Sequence, residues 1–149
     1  RSLSDLSIID VRVFNYFSHT QNIDTRFLIT DIVRAIKNKE VFKTSVDNIV
    51  RDFITPPDFY NLIQAIIDAK STNIALDCYT KNPVSKFELL SKLKDSFGLI
   101  YEIDRSLDIV NSTGFKANYY SINKVAESIG YRAKNTSLEG IFKEISLLK

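Results

Sequence analysis

The sequence predicts an α/β fold, and three observations support this class. Short segments rich in β-branched and aromatic residues alternate with longer segments whose apolar residues recur every three or four positions. The chain of 149 residues is long enough to bury one domain core, and 44% of it is apolar. Helix-capping patterns precede several of the longer segments. The predicted order is β-α-β-β-α-β-α-β-α-α, which is typical of this class.

The first half of the chain contains three predicted strands and two predicted helices. We predict strands over residues 8–14, 40–44 and 49–54, and a loop over residues 16–22. Residues 45–48 are a plausible hairpin connection between the second and third strands. Asp24 is expected to cap a helix with the apolar face Leu28, Ile29, Ile32, Val33 and Ile36. Thr55, with Pro56 after it and Asp58 in the first turn, is expected to cap a helix with the apolar face Phe59, Leu62, Ile63, Ile66 and Ile67.

The second half contains two further strands and three helices. We predict strands over residues 73–78 and 99–103. Ser85, Ser121 and Thr136 are the expected starts of the three helices, since each is a hydroxyl residue placed before a helical apolar pattern. Gly98 and Gly130 are the expected ends of the first two helices, because glycine readily takes the left-handed conformation that closes a helix.

Composition and charge exclude several classes of function. The net charge is only +2, with lysine and arginine scattered along the chain, which argues against nucleic acid as the main partner. No apolar run approaches the roughly 20 residues of a membrane span. Cys78 is the only cysteine, so we predict no intrachain disulfide, no cysteine-based zinc site or other metal site, and a cytoplasmic location.

Arg51 stands at the most informative position in the chain. It belongs to Arg51-Asp52-Phe53-Ile54, a buried-looking strand that runs directly into the helix capped by Thr55. The planar guanidinium fork suits phosphate or carboxylate, and ligands of α/β folds gather at strand ends. The alternative is an ion pair between Arg51 and either Asp52 or Asp58.

Five segments stand in the same order as a known set of motifs. They are Val11-Arg12-Val13-Phe14-Asn15-Tyr16-Phe17, Thr25-Arg26-Phe27-Leu28-Ile29, Glu40-Val41-Phe42, Val50-Arg51-Asp52-Phe53-Ile54-Thr55-Pro56-Pro57-Asp58, and Asn118-Tyr119-Tyr120-Ser121 with Lys124, Gly130 and Tyr131. This set resembles the C-terminal part of the extended short-chain dehydrogenase/reductases, the NAD-dependent epimerase/dehydratase family that acts on nucleotide sugars. The resemblance covers nearly the whole chain.

The resemblance implies the C-terminal substrate-binding portion of a Rossmann-type fold, without the N-terminal dinucleotide-binding half. Residues 1–149 would form one unit, with strands 8–14 and 73–78 belonging to the parent sheet and the rest mainly to a small substrate subdomain. The chain has neither the family's glycine-rich loop nor its catalytic Tyr-x-x-x-Lys, begins with Arg1 and contains no methionine. We therefore expect a piece of a longer enzyme that uses NAD or NADP, with no catalytic residue and no bound cofactor of its own. A non-catalytic binding or interaction module that retains this fold is the alternative.

The resemblance also implies the residues that bind a nucleotide sugar. Asn15 would bind the diphosphate or the sugar, unless its amide only satisfies turn backbone. Arg51 would bind the diphosphate. Val41, Phe42 and Thr44 would line the pocket for the base, although an ordinary hairpin uses similar residues.

Three further features follow from the resemblance. Arg26 and Phe27, at a helix start, could touch the base or the phosphates, and core packing explains Phe27 equally well. The family's late arginine is missing around residues 111–115, where Lys116 or Arg105 is the nearest positive charge but neither is in register. Separation of strands 8–14 and 73–78 from a larger sheet would leave unpaired edges, so we expect a homodimer.

Overall fold

The computed structural model describes residues 6–70, 72–107 and 116–148. It contains the strands β1 Ile9–Arg12, β2 Asn15–Tyr16, β3 Val41–Thr44, β4 Val50–Arg51, β5 Phe53–Ile54, β6 Ile74–Asp77, β7 Val84–Ser85, β8 Ile100–Ile103 and β9 Asn118–Tyr119. The α-helices are α1 Leu28–Asn38, α2 Pro56–Asp68, α3 Lys86–Phe97 and α4 Ser137–Ser146, and a 3₁₀ helix spans Val125–Ile129. The predicted α/β class is confirmed.

Most of the strand pairs are parallel. β1 pairs with β6, so that Ile9 faces Ile74 and Arg12 faces Asp77. β2 pairs with β5, and β3 pairs with β8. β4 lies between β7, to which it is antiparallel, and β9, to which it is parallel. The first strand and the strand that leads to Cys78 therefore lie in one sheet.

The predicted hairpin over residues 45–48 is wrong. β3 pairs with β8, which is far along the chain, whereas the strand predicted over residues 49–54 divides into β4 and β5 and pairs elsewhere. The division falls at Asp52, whose buried carboxylate accepts hydrogen bonds from Thr80 and Ser137. The strand predicted over residues 8–14 is shorter than expected, since β1 ends at Arg12, and Tyr16 lies in β2 rather than in the predicted loop.

Four of the predicted helix boundaries are confirmed. The Ser85 hydroxyl accepts a hydrogen bond from the Glu88 amide at the start of α3. Thr136 and Glu139 form a reciprocal capping box at the start of α4. Gly98 and Gly130 end their helices in the left-handed conformation, with φ of 69° and 91°. In each case the signal is local, because the groups that satisfy the helix end lie within a few residues of it.

Two predicted helix starts are wrong. The N-cap of α1 is Phe27 rather than Asp24. The Thr30 hydroxyl accepts a hydrogen bond from the Phe27 amide and so replaces the side-chain cap that Asp24 was expected to provide. The short helix begins at Val125 rather than at Ser121, and it is a 3₁₀ helix. The Ser121 hydroxyl does not cap this helix, because it donates a hydrogen bond to the buried carboxylate of Asp77.

The buried apolar residues form two clusters. The first joins α1, α3 and α4 through side chains that include Ile29, Ile32, Leu90, Leu93 and Ile141. The second gathers Ile54, Leu62, Leu76 and Tyr131 around β6 and the 3₁₀ helix. Among the described residues, no helix is both long enough and apolar enough to cross a bilayer.

Candidate functional site

Arg51 lies beside Tyr119 because β4 and β9 are parallel neighbours that place these two residues in register. The guanidinium Nη1 donates to the carbonyl oxygens of Val50 (2.8 Å) and Ala117 (3.3 Å), and Nη2 donates to that of Lys116 (2.9 Å). The guanidinium carbon is 6.0 Å from the centroid of the Tyr119 ring. Burial lowers the pKa of Arg51 from its ordinary value, and the Tyr119 side chain acts in the opposite direction.

A second cation approaches the same ring. The Nζ atom of Lys116 is 4.7 Å from the Tyr119 centroid, and the ring of Phe14 meets Tyr119 edge to face at 5.1 Å. We call Phe14, Arg51, Lys116 and Tyr119 the Tyr119 cluster. Within the described residues, neither cation has a carboxylate at ion-pair distance. Two neighbouring cations attract an anion, which is the chemistry expected of a phosphate site.

The predicted ion pair between Arg51 and Asp52 or Asp58 is wrong, because both carboxylates are engaged elsewhere. The Asp52 carboxylate accepts hydrogen bonds from the amide and hydroxyl of Thr80 (3.0 and 2.5 Å) and from the Ser137 hydroxyl (2.7 Å). It thereby fixes the strand that carries Arg51 to the start of α4. An acidic residue inside an otherwise apolar strand was the signal that could have revealed this buried network.

Asp58 has a different long-range role. Its side chain is fully buried, and its two carboxylate oxygens accept hydrogen bonds from the backbone amides of Lys134 and Asn135 and from the side-chain amide of Asn135. The sequence analysis placed Asp58 in the first turn of α2, where it does lie. Its partners, however, belong to the segment before α4, so it joins two distant parts of the chain.

Asn15 lies next to Phe14 of the Tyr119 cluster and next to Asp52 across the sheet. Its Nδ2 atom donates to the Asp52 carbonyl oxygen at 3.1 Å. This contact agrees with the alternative in which the amide satisfies backbone. It also places Asn15 beside the residue that follows Arg51, so the structure brings these two predicted site residues into one region.

The three residues expected to line a base pocket do not share one face of β3. Side chains alternate along a strand, so Phe42 and Thr44 point to one face and Val41 points to the other. Phe42 packs partly buried against the first core cluster and Thr44 is buried. Val41 is 49% exposed and pairs with Ile100, which is also exposed.

Arg26 and Phe27 lie at the N-terminal end of α1, and both are exposed. Phe27 is 61% exposed, so the alternative in which it packs in the core is wrong. The segment around residues 111–115, where the sequence lacks the family's late arginine, is outside the described residues. Lys116 is the first described residue after it, and its side chain lies in the Tyr119 cluster.

The described residues do not fit the pyrophosphate of a dinucleotide cofactor at a glycine-rich turn. Of the described glycines, Gly98 and Gly130 end helices with positive φ. At Gly140 an added Cβ would lie 2.8 Å from the Thr55 hydroxyl, so this glycine serves a close helix contact. Among the residues that the structure describes, no group of three or more histidine, cysteine, aspartate or glutamate side chains could hold a metal ion.

The sequence matches no protein-family model and no curated protein. The structure, in contrast, is similar to several solved enzymes. UDP-glucuronic acid 4-epimerase from Bacillus cereus, in complex with UDP-glucuronic acid and NAD, matches with a TM-score of 0.77 and 15% identity over 95% of this chain and 45% of that chain. MoeE5, in complex with UDP-glucose and NAD, matches with a TM-score of 0.71 and 21% identity over 98% of this chain and 48% of that chain.

UDP-glucose 4-epimerase from Thermotoga maritima, solved with UDP-glucose, matches with a TM-score of 0.72 and 15% identity over 93% of this chain and 44% of that chain. The chain therefore spans less than half the length of these structures. It has the fold of the C-terminal part of the NAD-dependent, short-chain dehydrogenase/reductase-type UDP-sugar epimerases. The fold predicted from the five sequence motifs is confirmed.

Proposed function

We propose that this chain is the substrate-binding part of an NAD- or NADP-dependent enzyme that modifies nucleotide sugars, of the epimerase or dehydratase type. The observation that carries the proposal is its fold, which matches the C-terminal half of structures solved with UDP-sugars. The cofactor and the catalytic tyrosine and lysine would come from sequence outside residues 1–149. The chain alone would then be inactive and bind no cofactor.

The Tyr119 cluster supports the assignment of the diphosphate end of the substrate. Three hydrogen bonds to backbone oxygens fix the plane of the Arg51 guanidinium. A guanidinium has five N–H donors, so two remain for phosphate oxygens. Lys116 would contribute a second charge, and Asn15 would lie close enough to bind the diphosphate or the sugar. Binding energy at this end would orient the sugar carbon against the cofactor.

The base end of the substrate would lie near β3 and the start of α1. We propose that the exposed side chain of Val41 contacts the base, and that Phe42 and Thr44 support the pocket from the buried face of β3. Arg26 and Phe27 would contact the base or the phosphates from the N-terminal end of α1. The large exposed surface of Phe27 supports this role, because an apolar ring gains free energy when a ligand covers it.

A non-catalytic binding or interaction module is the second candidate. One observation favours it: the three hydrogen bonds of Arg51 all go to the chain's own backbone, which is what a purely structural arginine would do. The complete reading frame separates the two candidates. An upstream glycine-rich loop and Tyr-x-x-x-Lys would support the enzyme, whereas a start codon directly before Arg1 would contradict it.

The site assignment is tested by calorimetric titration of the protein from its complete reading frame with UDP- and dTDP-sugars. We expect Arg51→Ala to lower the affinity for whichever of these nucleotide sugars binds by about tenfold or more. A charged phosphate contact contributes about 1.5–3 kcal/mol. Arg132→Ala is the matched control, because Arg132 also donates to two backbone carbonyl oxygens but lies elsewhere. Equal affinities of the two variants would disprove the diphosphate role of Arg51.

We also propose that the protein acts in the cytoplasm as a homodimer, with no nucleic-acid or membrane partner. The even scatter of charged residues supports the absence of a nucleic-acid partner. In the described residues, β1 and β6 pair only with each other, so each has one edge without a strand neighbour. Such edges favour association through further strands.

A further inference from the structure

The segment of residues 45–49 connects the two ends of the proposed site. It begins directly after Thr44, at the end of β3, and it ends directly before β4, which carries Arg51. In the proposed function, β3 belongs to the base end and Arg51 to the diphosphate end. The conformation of this connecting segment therefore sets the separation between the two ends.

The start of α3 holds the connecting segment from one side. β7 pairs with β4, and the amides that follow β7 continue the contact. The Lys86 amide donates to the Ile49 carbonyl oxygen at 2.8 Å, and the Phe87 amide donates to the side-chain oxygen of Asn48 at 3.0 Å. These backbone contacts fix the half of the segment that is nearest to Arg51.

The Lys86 side chain fixes the other half. It is 3% exposed, and its Nζ atom donates to the carbonyl oxygen (2.7 Å) and to the hydroxyl (3.2 Å) of Ser45. Nζ also lies 5.1 Å from the centroid of the Phe87 ring. Within the described residues, no carboxylate lies at ion-pair distance from Lys86. Burial lowers the pKa of Lys86, and the carboxylate of Asp47 in the same segment acts in the opposite direction. Ser45 supplies the hydrogen bonds that offset part of the cost of burying the ammonium.

We propose that Lys86 is a positioning residue, whose ammonium fixes Ser45 relative to Arg51 and thereby sets the separation between the base end and the diphosphate end of the site. This inference depends on the proposed function. A nucleoside diphosphate must reach both ends at once, so its affinity depends on their separation. Pyrophosphate or a nucleoside alone reaches one end, so its affinity does not.

The test compares the unmodified protein with Lys86→Met in the product of the complete reading frame. Methionine keeps an apolar stem of similar length and removes the ammonium. The probes are UDP, dTDP, uridine, thymidine and inorganic pyrophosphate, titrated by calorimetry or by competition. We expect the variant to bind the preferred nucleoside diphosphate about tenfold more weakly, and pyrophosphate and the nucleoside within about twofold of the unmodified protein.

Ile141→Val is the control for a general loss of stability, because Ile141 is fully buried in α4 and has no polar group that could bond to Ser45. We expect it to leave the affinity of every probe unchanged. Equal loss for all probes in Lys86→Met, or no loss for the nucleoside diphosphate, would overturn the positioning role. If Lys86→Met does not fold, Ser45→Ala removes the weaker hydrogen bond and is expected to give the same pattern at about threefold.

The same titrations separate this inference from the proposed function. If the unmodified protein binds none of the nucleoside diphosphates, the proposed function is wrong, and the positioning role of Lys86 is then wrong as well. If it binds one and Arg51→Ala weakens that binding, while Lys86→Met does not, the proposed function stands and only the positioning role is wrong.

Discussion

The carboxylate of Asp52 accepts hydrogen bonds from both the amide and the hydroxyl of Thr80, 28 residues further along the chain. The Ser137 hydroxyl donates a third hydrogen bond to the same carboxylate and accepts one from the amide of Phe53. One buried side chain, directly after the strand that carries Arg51, thus binds the segment that follows β6 and the first turn of α4. Because Asp52 directly follows Arg51, the position of Arg51 depends on this network.

Asp52→Asn should therefore destabilise the fold strongly. The amide replaces one acceptor by a donor that faces the Thr80 or Ser137 donors, so a buried hydrogen bond is lost and a repulsive contact is created. We expect the free energy of unfolding to fall by about 2–3 kcal/mol in urea denaturation. Asp68→Asn is the control, since Asp68 is exposed at the end of α2 and should change stability by less than about 0.5 kcal/mol. A similar stability of the two variants would contradict the role of the network.

Gly140→Ala tests the close contact between α4 and Thr55. The added Cβ would lie 2.8 Å from Oγ1 and 3.0 Å from Cγ2 of Thr55, so the helix must shift. We expect a loss of about 1–3 kcal/mol, although alanine is the better helix former. Thr55→Ala removes both atoms, and the Thr55 hydroxyl makes no capping hydrogen bond in α2. The double variant should therefore be more stable than Gly140→Ala alone, and failure of this rescue would disprove the steric explanation.

Cys78 should make the fold less stable at alkaline pH. Burial, with the nearby Asp77 and Asp52 carboxylates, raises the pKa of the thiol from 9.0 to about 12. Between these values the folded chain keeps a proton that the unfolded chain has lost, so the free energy of unfolding falls as the pH rises. The contribution of this one group is at most about 1.4 kcal/mol per pH unit.

Cys78→Ala should therefore reduce the slope of stability against pH between about pH 9 and 12. Urea denaturation at a series of pH values measures this slope. The slope of the variant will not reach zero, because burial also raises the pKa of Tyr79 and of Tyr131. These two groups also lower the free energy of unfolding as the pH rises. Parallel slopes for the two proteins would contradict the buried position of the thiol.

Lys116→Ala tests the second cation of the Tyr119 cluster. We expect about threefold to tenfold weaker binding of the nucleotide sugar, since a flexible ammonium contributes less than a guanidinium fork. The effect should decrease at high ionic strength, because the charge is exposed. Lys92→Ala, on the exposed face of α3, is the control and should bind as the unmodified protein does. An equal effect of the two substitutions would show that Lys116 acts only through net charge.

The association state follows from the edges of the β1–β6 sheet. Sedimentation velocity of residues 1–149 over a range of concentrations should show a dimer or a larger assembly, because each strand has one edge without a strand neighbour among the described residues. A single monomeric species at the highest concentration would contradict this prediction.

Features with local signals could be predicted from the sequence. The capping residues Ser85 and Thr136 and the helix ends at Gly98 and Gly130 act within one turn of chain. The resemblance to the family assigned the strands predicted over 8–14 and 73–78 to one parent sheet, but it did not predict that β1 and β6 pair directly. The errors at residues 45–48, Asp24 and Ser121 have a different cause. Each depends on a partner or an interruption that the local pattern did not reveal, such as the Asp77 carboxylate that binds Ser121.

The candidate site shows the same division. Arg51 was found from its position before the Thr55 helix, but its partners were not, since the carbonyl oxygens of residues 116 and 117 lie 65 and 66 residues away. Lys86 directly follows the predicted helix start at Ser85, and no local pattern indicated a role for its side chain. Its burial and its bond to Ser45 arise from tertiary packing, and a lysine in a capping sequence is ordinarily expected to face water.

β4 is the middle strand of its sheet, with neighbours from two remote parts of the sequence on its two sides. The backbone around Arg51 is consequently immobilised before any ligand arrives. If Arg51 binds an anion as proposed, little conformational entropy of this strand would be lost on binding.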